Sequence, residues 1–176
     1  MARRRTGPIV LGLDLSLTSP AAVAIRPDWR IGVWSELATL NLKPEVPTNE
    51  KEKAARIRFI VEQMLSFACR QGVGAAFVED YAFSRQSSSV TKLAELGGHA
   101  RVGFDAAGLT LTPVPASAAR RVLLTAVPRK GAKRAVEQAL ILHGAGDVLR
   151  NDDLCDAFAV ANWGRTEVGL TACVLA

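Results

Sequence analysis

The hydrophobic and polar positions of this chain fall into alternating strand-like and helix-like runs. Pro8 to Ser16 is almost wholly apolar and reads as a buried strand. Ala21 to Ile25 reads as a second strand after a turn at Thr18-Ser19-Pro20, and Ile31 to Leu42 as a third. Ile31, Val33, Leu37 and Leu40 are its expected inward residues, and Asp28-Trp29-Arg30 makes the intervening hairpin turn. A polar loop, Lys43 to Asn49, follows. Thr48 or Asn49 then caps a helix with Ala54, Ile57, Ile60, Val61, Met64, Leu65 and Ala68 on one face, ended by Gly72 and Gly74. Ala75 to Glu79 is a short fourth strand. After a loop at Ser84 to Ser89, a helix runs from about Val90 to Ala107, with Gly97-Gly98 inside it for close packing or a kink. Leu109 to Val114 is a fifth strand. Helices follow from Pro115 or Ser117 to Leu124, from Lys133 to His143 and from Asp152 to Trp163. Three strands that begin as an antiparallel meander, then alternating helix and strand, predict an α/β fold with a five-stranded mixed sheet and helices on both faces.

At 176 residues, 49% hydrophobic and 22% charged, the chain has the apolar content for one well-packed domain and no linker that divides it. Residues 1–7 read as a basic flexible arm and 166–176 as an apolar tail. The three cysteines, Cys69, Cys155 and Cys173, show no metal-ligand or disulfide pattern, so a reducing cytoplasmic setting is expected. No apolar stretch approaches the roughly 20 residues of a membrane span. Net charge is +5; setting aside the four carboxylates discussed next, the remainder carries +9. A basic body around an acidic centre fits a protein that binds a phosphate polymer.

Those four carboxylates are Asp14 in the first strand, Glu79 ending the fourth, and Asp153 and Asp156, three apart on one face of the last helix. A carboxylate inside an apolar segment is costly to bury unless paired or bound to a metal. Taken singly, each has an ordinary explanation: a turn residue, an ion-pair partner, an acid favoured at a helix N-terminus. Together they form an oxygen-only donor set with no His/Cys cluster, which favours Mg²⁺ or Mn²⁺. Two such ions can activate a water and stabilise the leaving oxygen of a phosphodiester.

Gly12-Leu13-Asp14-Leu15-Ser16, Val78-Glu79 and Asp153-Leu154-Cys155-Asp156-Ala157-Phe158-Ala159 resemble RuvC-type Holliday junction resolvases, over about Ile9 to Trp163. The resemblance implies an RNase H-like fold, a homodimer, and two Mg²⁺ per active site held by Asp14, Glu79, Asp153 and Asp156, with Mn²⁺ substituting. It makes Lys133 the catalytic-loop lysine at the scissile phosphate. Arg120 or Arg121 stands where the family has a lysine, and Arg129 and Lys130 belong to its basic glycine loop. The family's junction-stacking aromatic falls at Ala82 here; Tyr81 or Phe83 beside it takes that place or is a core aromatic, and Arg85 follows in a loop over the junction. His99, His143 and the three tryptophans carry only structural expectations. The helix around Gly97-Gly98 is the expected dimer interface, or it packs on its own sheet.

The function this implies is structure-selective cleavage of four-way DNA junctions by paired symmetric nicks, leaving 5′-phosphate and 3′-hydroxyl ends. Three alternatives stay open: another RNase H-like nuclease acting on RNA–DNA hybrids or branched DNA, a non-catalytic nucleic-acid-binding scaffold of the same fold, and an actin-like nucleotide-binding enzyme.

Overall fold

The computed structural model describes residues 7–35, 47–80, 87–128, 130–142, 145–149 and 151–175. Its strands are β1 (Ile9–Asp14), β2 (Ala21–Ile25), β3 (Ile31–Ser35), β4 (Val73–Asp80) and β5 (Leu111–Pro115). Its helices are α1 (Glu50–Gln71), α2 (Ser87–Ala106), α3 (Ala116–Leu123), α4 (Ala132–Leu142) and α5 (Asp152–Glu167). The sheet order is β3-β2-β1-β4-β5, with β1–β2 and β2–β3 antiparallel and β1–β4 and β4–β5 parallel. This is the mixed sheet that the chain order predicts.

Both faces of the sheet are covered, which is why β2, and β1 up to Asp14, read as continuous apolar runs. Val10, Val23, Ile25, Phe77 and Val114 pack with α3, α4 and α5. Leu11, Leu13, Ala24, Val78 and Leu111 pack with α1 and α2 on the other side. Period-two alternation therefore puts Gly12 and Asp14 on the α5 face with Val10, and Glu79 there with Phe77.

Element ends follow local chemistry. Asn49 caps α1 by accepting from the Glu52 amide, and the Glu52 side chain takes the Thr48 amide in return. Gly72 closes α1 in the left-handed region, φ 68°. Asn151 caps α5 through the Leu154 amide.

Several expectations change. Gly74 does not end α1; it lies inside β4, which starts at Val73. Ala54 is exposed, and Phe67 takes a core place on α1 instead. On β3, Val33 is exposed while Trp34 is buried, because Trp34 points to the α1 side and Val33 lies near the sheet edge. Leu37 and Leu40 lie outside the described residues. α2 is continuous through Gly97-Gly98; a Cβ at Gly98 would touch nothing. Gly97 is buried and Gly98 exposed, and a close contact with α1 is at Gly103, where a Cβ would come 2.9 Å from Val61 Cγ1.

The C-terminal segment packs back on the domain as a brace. The Asn162 side chain accepts from the Cys173 amide at 2.7 Å and donates to the Cys173 carbonyl at 2.9 Å. Arg165, fully buried, donates to the carbonyls of Thr171 and Arg26, and its guanidinium lies 3.8 Å from the ring centroid of Trp29. Leu175 bonds back to Leu123.

Candidate metal centre

The site is built where β1 and β4 end side by side. In the parallel ladder Leu13 pairs with Val78, so Asp14 and Glu79 are the next residues on adjacent strands. α5 crosses directly above them. A Cβ at Gly12 would lie 2.1 Å from the Ala157 carbonyl oxygen and 2.4 Å from the Ala161 amide nitrogen, so α5 rests on bare β1 backbone. That close approach brings Asp156, on the turn of α5 preceding Ala157–Ala161, down to the strand ends. One carboxylate oxygen each from Asp14, Glu79 and Asp156 lie within 4.8 Å of one another.

Asp153 is not part of that trio. One turn earlier on α5 and half-buried, it stands at the rim and accepts a hydrogen bond from the Ser19 hydroxyl. Ser19 belongs to the β1–β2 turn, where Ser16 Oγ accepts the amides of Thr18 and Ser19. Nothing in the sequence marked Ser19 as a partner of the site; its place just beyond the Asp14 strand was the available signal. Asp152 is exposed.

Two cations meet Asp156. Arg120 on α3 donates from Nη2 to Oδ1 at 3.0 Å. Lys133, near the start of α4, places Nζ 2.5 Å from Oδ2. That close ion pair is the contact of Oδ2, without a well-aligned hydrogen bond, and Arg120 Nε is buried without an acceptor. Arg120, for which DNA contact is the expectation shared with Arg121, is thus turned to a carboxylate. Arg121 and Lys130 are exposed. Arg129, Arg85, Tyr81, Phe83 and His143 lie outside the described residues, and His99 is exposed with Nδ1 on the Glu95 carbonyl.

The electrostatics are those of acids crowded away from water. Burial first, then the charges of Glu79, Asp156 and Asp153, push the Asp14 carboxyl well above its usual range. Burial and the Asp156 charge raise Glu79, with Arg120 and Lys133 opposing. Burial raises Asp153 against the Ser19 hydrogen bond. Burial also works against the Lys133 ammonium, but Asp156 outweighs it and holds Lys133 above its ordinary value. The buried Oδ2 without an aligned donor, the clustered oxygens and the oxygen-only donor set all fit a hard divalent cation. Cys155, between the two aspartates, takes no part: burial pushes its thiol up to about 12.

No family model matches the sequence, and no curated protein matches it. Solved structures do. RuvC of Thermus thermophilus in complex with a Holliday junction substrate superposes with a TM-score of 0.69 at 21% identity, over 92% of this chain and 96% of that one. A second Thermus thermophilus RuvC structure gives 0.63 at 23% identity, over 93% and 98%. The yeast mitochondrial Holliday junction resolvase Ydc2 gives 0.59 at 13%, over 88% and 76%. The five-stranded mixed sheet of this chain, with its flanking helices, is therefore the RNase H-like fold of the RuvC resolvases.

Proposed function

We propose that this protein is a Mg²⁺-dependent endonuclease that resolves four-way DNA junctions. The observation that carries the reading is the meeting of Asp14, Glu79 and Asp156 at the strand ends, with Arg120 and Lys133 against them, on a fold shared with resolvases. One of those neighbours was solved with a Holliday junction substrate, and a fowlpox virus resolvase of similar fold with Holliday junction DNA.

Asp14, Glu79 and Asp156 hold the metal and Asp153 completes the ligand set from the rim; Mn²⁺ replaces Mg²⁺. Bound divalent ions supply an acidified water and positive charge for the phosphate. Arg120 keeps Asp156 Oδ1 in one place. Lys133 has the reach to meet the scissile phosphate and balance charge developing on it. Arg121, Lys130, Arg129 and Arg85 hold the flanking backbone, and Tyr81 or Phe83 stacks at the junction. The products are 5′-phosphate and 3′-hydroxyl ends.

Symmetric nicking needs two sites, and the proposed assembly is a homodimer through the outer face of α2. Gly98 leaves that face open and Val102 is 73% exposed on it.

The test is cleavage of a labelled synthetic junction by wild type and Asp14→Asn, with Mg²⁺ or EDTA, beside a linear duplex and an RNA–DNA hybrid. Paired junction nicks lost with EDTA and with the substitution support the reading. Binding without cleavage under any metal points to a scaffold, and preferential cutting of the hybrid to a ribonuclease.

A further inference from the structure

We propose that Lys133 stands in for a metal ion in the metal-free protein, and that metal and DNA phosphate each free a partner for the other. This rests on the reading of the site as a metal-dependent nuclease centre.

The two cations on Asp156 differ in what holds them. Arg120 is 15% exposed, hydrogen-bonded to Oδ1 and set into α3 beneath α5. Lys133 is 52% exposed and meets Oδ2 in a close ion pair from a flexible stem. A guanidinium fixes orientation through directed donors, whereas an ammonium is a compact charge on a flexible stem with no geometric demand. Lys133 is also electrostatically linked to the whole cluster: its charge acts on Asp14, Glu79 and Asp153 as well. Without metal it therefore does what a bound divalent ion would do, neutralising crowded carboxylates.

The two occupants exclude each other at Asp156 Oδ2. A metal ion that uses this oxygen needs Lys133 to withdraw, and a half-exposed side chain on a flexible four-carbon stem has the room to do so. Withdrawal leaves an ammonium at the mouth of the site without its carboxylate, and a phosphodiester is the anion delivered there. Conversely, a phosphate that draws Lys133 away uncovers the ligand oxygen. Metal and DNA affinities are then positively coupled, and by thermodynamic linkage the coupling is reciprocal.

The test is calorimetric titration of the DNA-free protein with Mn²⁺, comparing wild type, Lys133→Met and Arg134→Gln. Arg134 is exposed on the same helix, so Arg134→Gln removes one positive charge without touching Asp156. Lys133→Met is expected to bind Mn²⁺ about tenfold tighter than wild type, and Arg134→Gln within about twofold of it. Ca²⁺ is expected to tighten junction binding by wild type several-fold more than by Lys133→Met. Equal gains in Mn²⁺ affinity for the two variants, or no gain at Lys133→Met, overturn the proposal and leave the nuclease reading intact. If Asp14→Asn binds Mn²⁺ as tightly as wild type does, both readings fall together.

Discussion

Gly12→Ala tests how the site is held together. The added Cβ would sit 2.1 Å from the Ala157 carbonyl oxygen, 2.4 Å from the Ala161 amide nitrogen and 2.9 Å from Ala161 Cα. Non-bonded heavy atoms need roughly 3.5 Å, so α5 must retreat by more than about 1 Å. All three obstructing atoms are backbone, and no rotamer change relieves them. Overpacking of this kind costs about 1–3 kcal/mol, here at the upper end. The entropy recovered by replacing a strand glycine returns roughly 0.5–1 kcal/mol. The net expectation is about 2–2.5 kcal/mol, or a Tm lower by about 4–10 °C for a domain of this size. The larger effect falls on chemistry. Asp14 and Glu79 stay with the sheet while Asp156 leaves with α5, and a 1 Å misplacement of a catalytic group costs roughly 10²-fold in rate. Urea unfolding and junction cleavage below the lowered Tm, with Gly98→Ala as a control where a Cβ meets nothing, read both consequences. A Gly12→Ala protein within about 0.5 kcal/mol of wild type and cleaving within about twofold of it would refute the argument that bare β1 backbone seats α5.

The raised carboxyls of Asp14, Glu79 and Asp153 set a pH dependence for the metal-free protein. These acids keep protons in the folded state that the unfolded chain has already released, so stability present at and below about pH 4 is lost as pH rises through their folded pKa values. Melting in EDTA across this range is expected to show a falling Tm, flattened in Asp14→Asn. Arg165→Met removes donors to the Thr171 and Arg26 carbonyls at a fully buried position and is expected to cost about 3 kcal/mol or more in denaturant unfolding. Gly98→Arg on the open face of α2 is expected to give a monomer by light scattering with the fold retained by circular dichroism; a dimer unchanged by it rules out that face.

Much of this frame was legible because periodicity carries the information. β2 matches its predicted span because both faces are buried and turn residues bound it. The acidic residues were legible because Asp14 interrupts an apolar strand and Asp153 and Asp156 share a helix face. What escaped depends on contacts between distant segments. Ser19 meets Asp153 across 134 positions of chain, and no local pattern encodes that. The packing of Gly103, rather than Gly98, against α1 depends on how the two helices are rotated, which glycine spacing alone does not report. Arg120 and Arg121 are equivalent in sequence; only the angle of α3 to α5 turns one to Asp156 and leaves the other to solvent.

Because α5 is seated backbone to backbone on β1, the geometry that brings Asp14, Glu79 and Asp156 together is set by main chain rather than by side-chain packing. Position 12 has no room for a side chain, a demand that falls on the strand and not on the connectors between elements. On the proposed reading, lineages can change which branched structures are accepted by altering the connecting segments while the seating of the three acids stays as it is. The same division gives a designer a practical rule: exchange the connectors and leave the glycine.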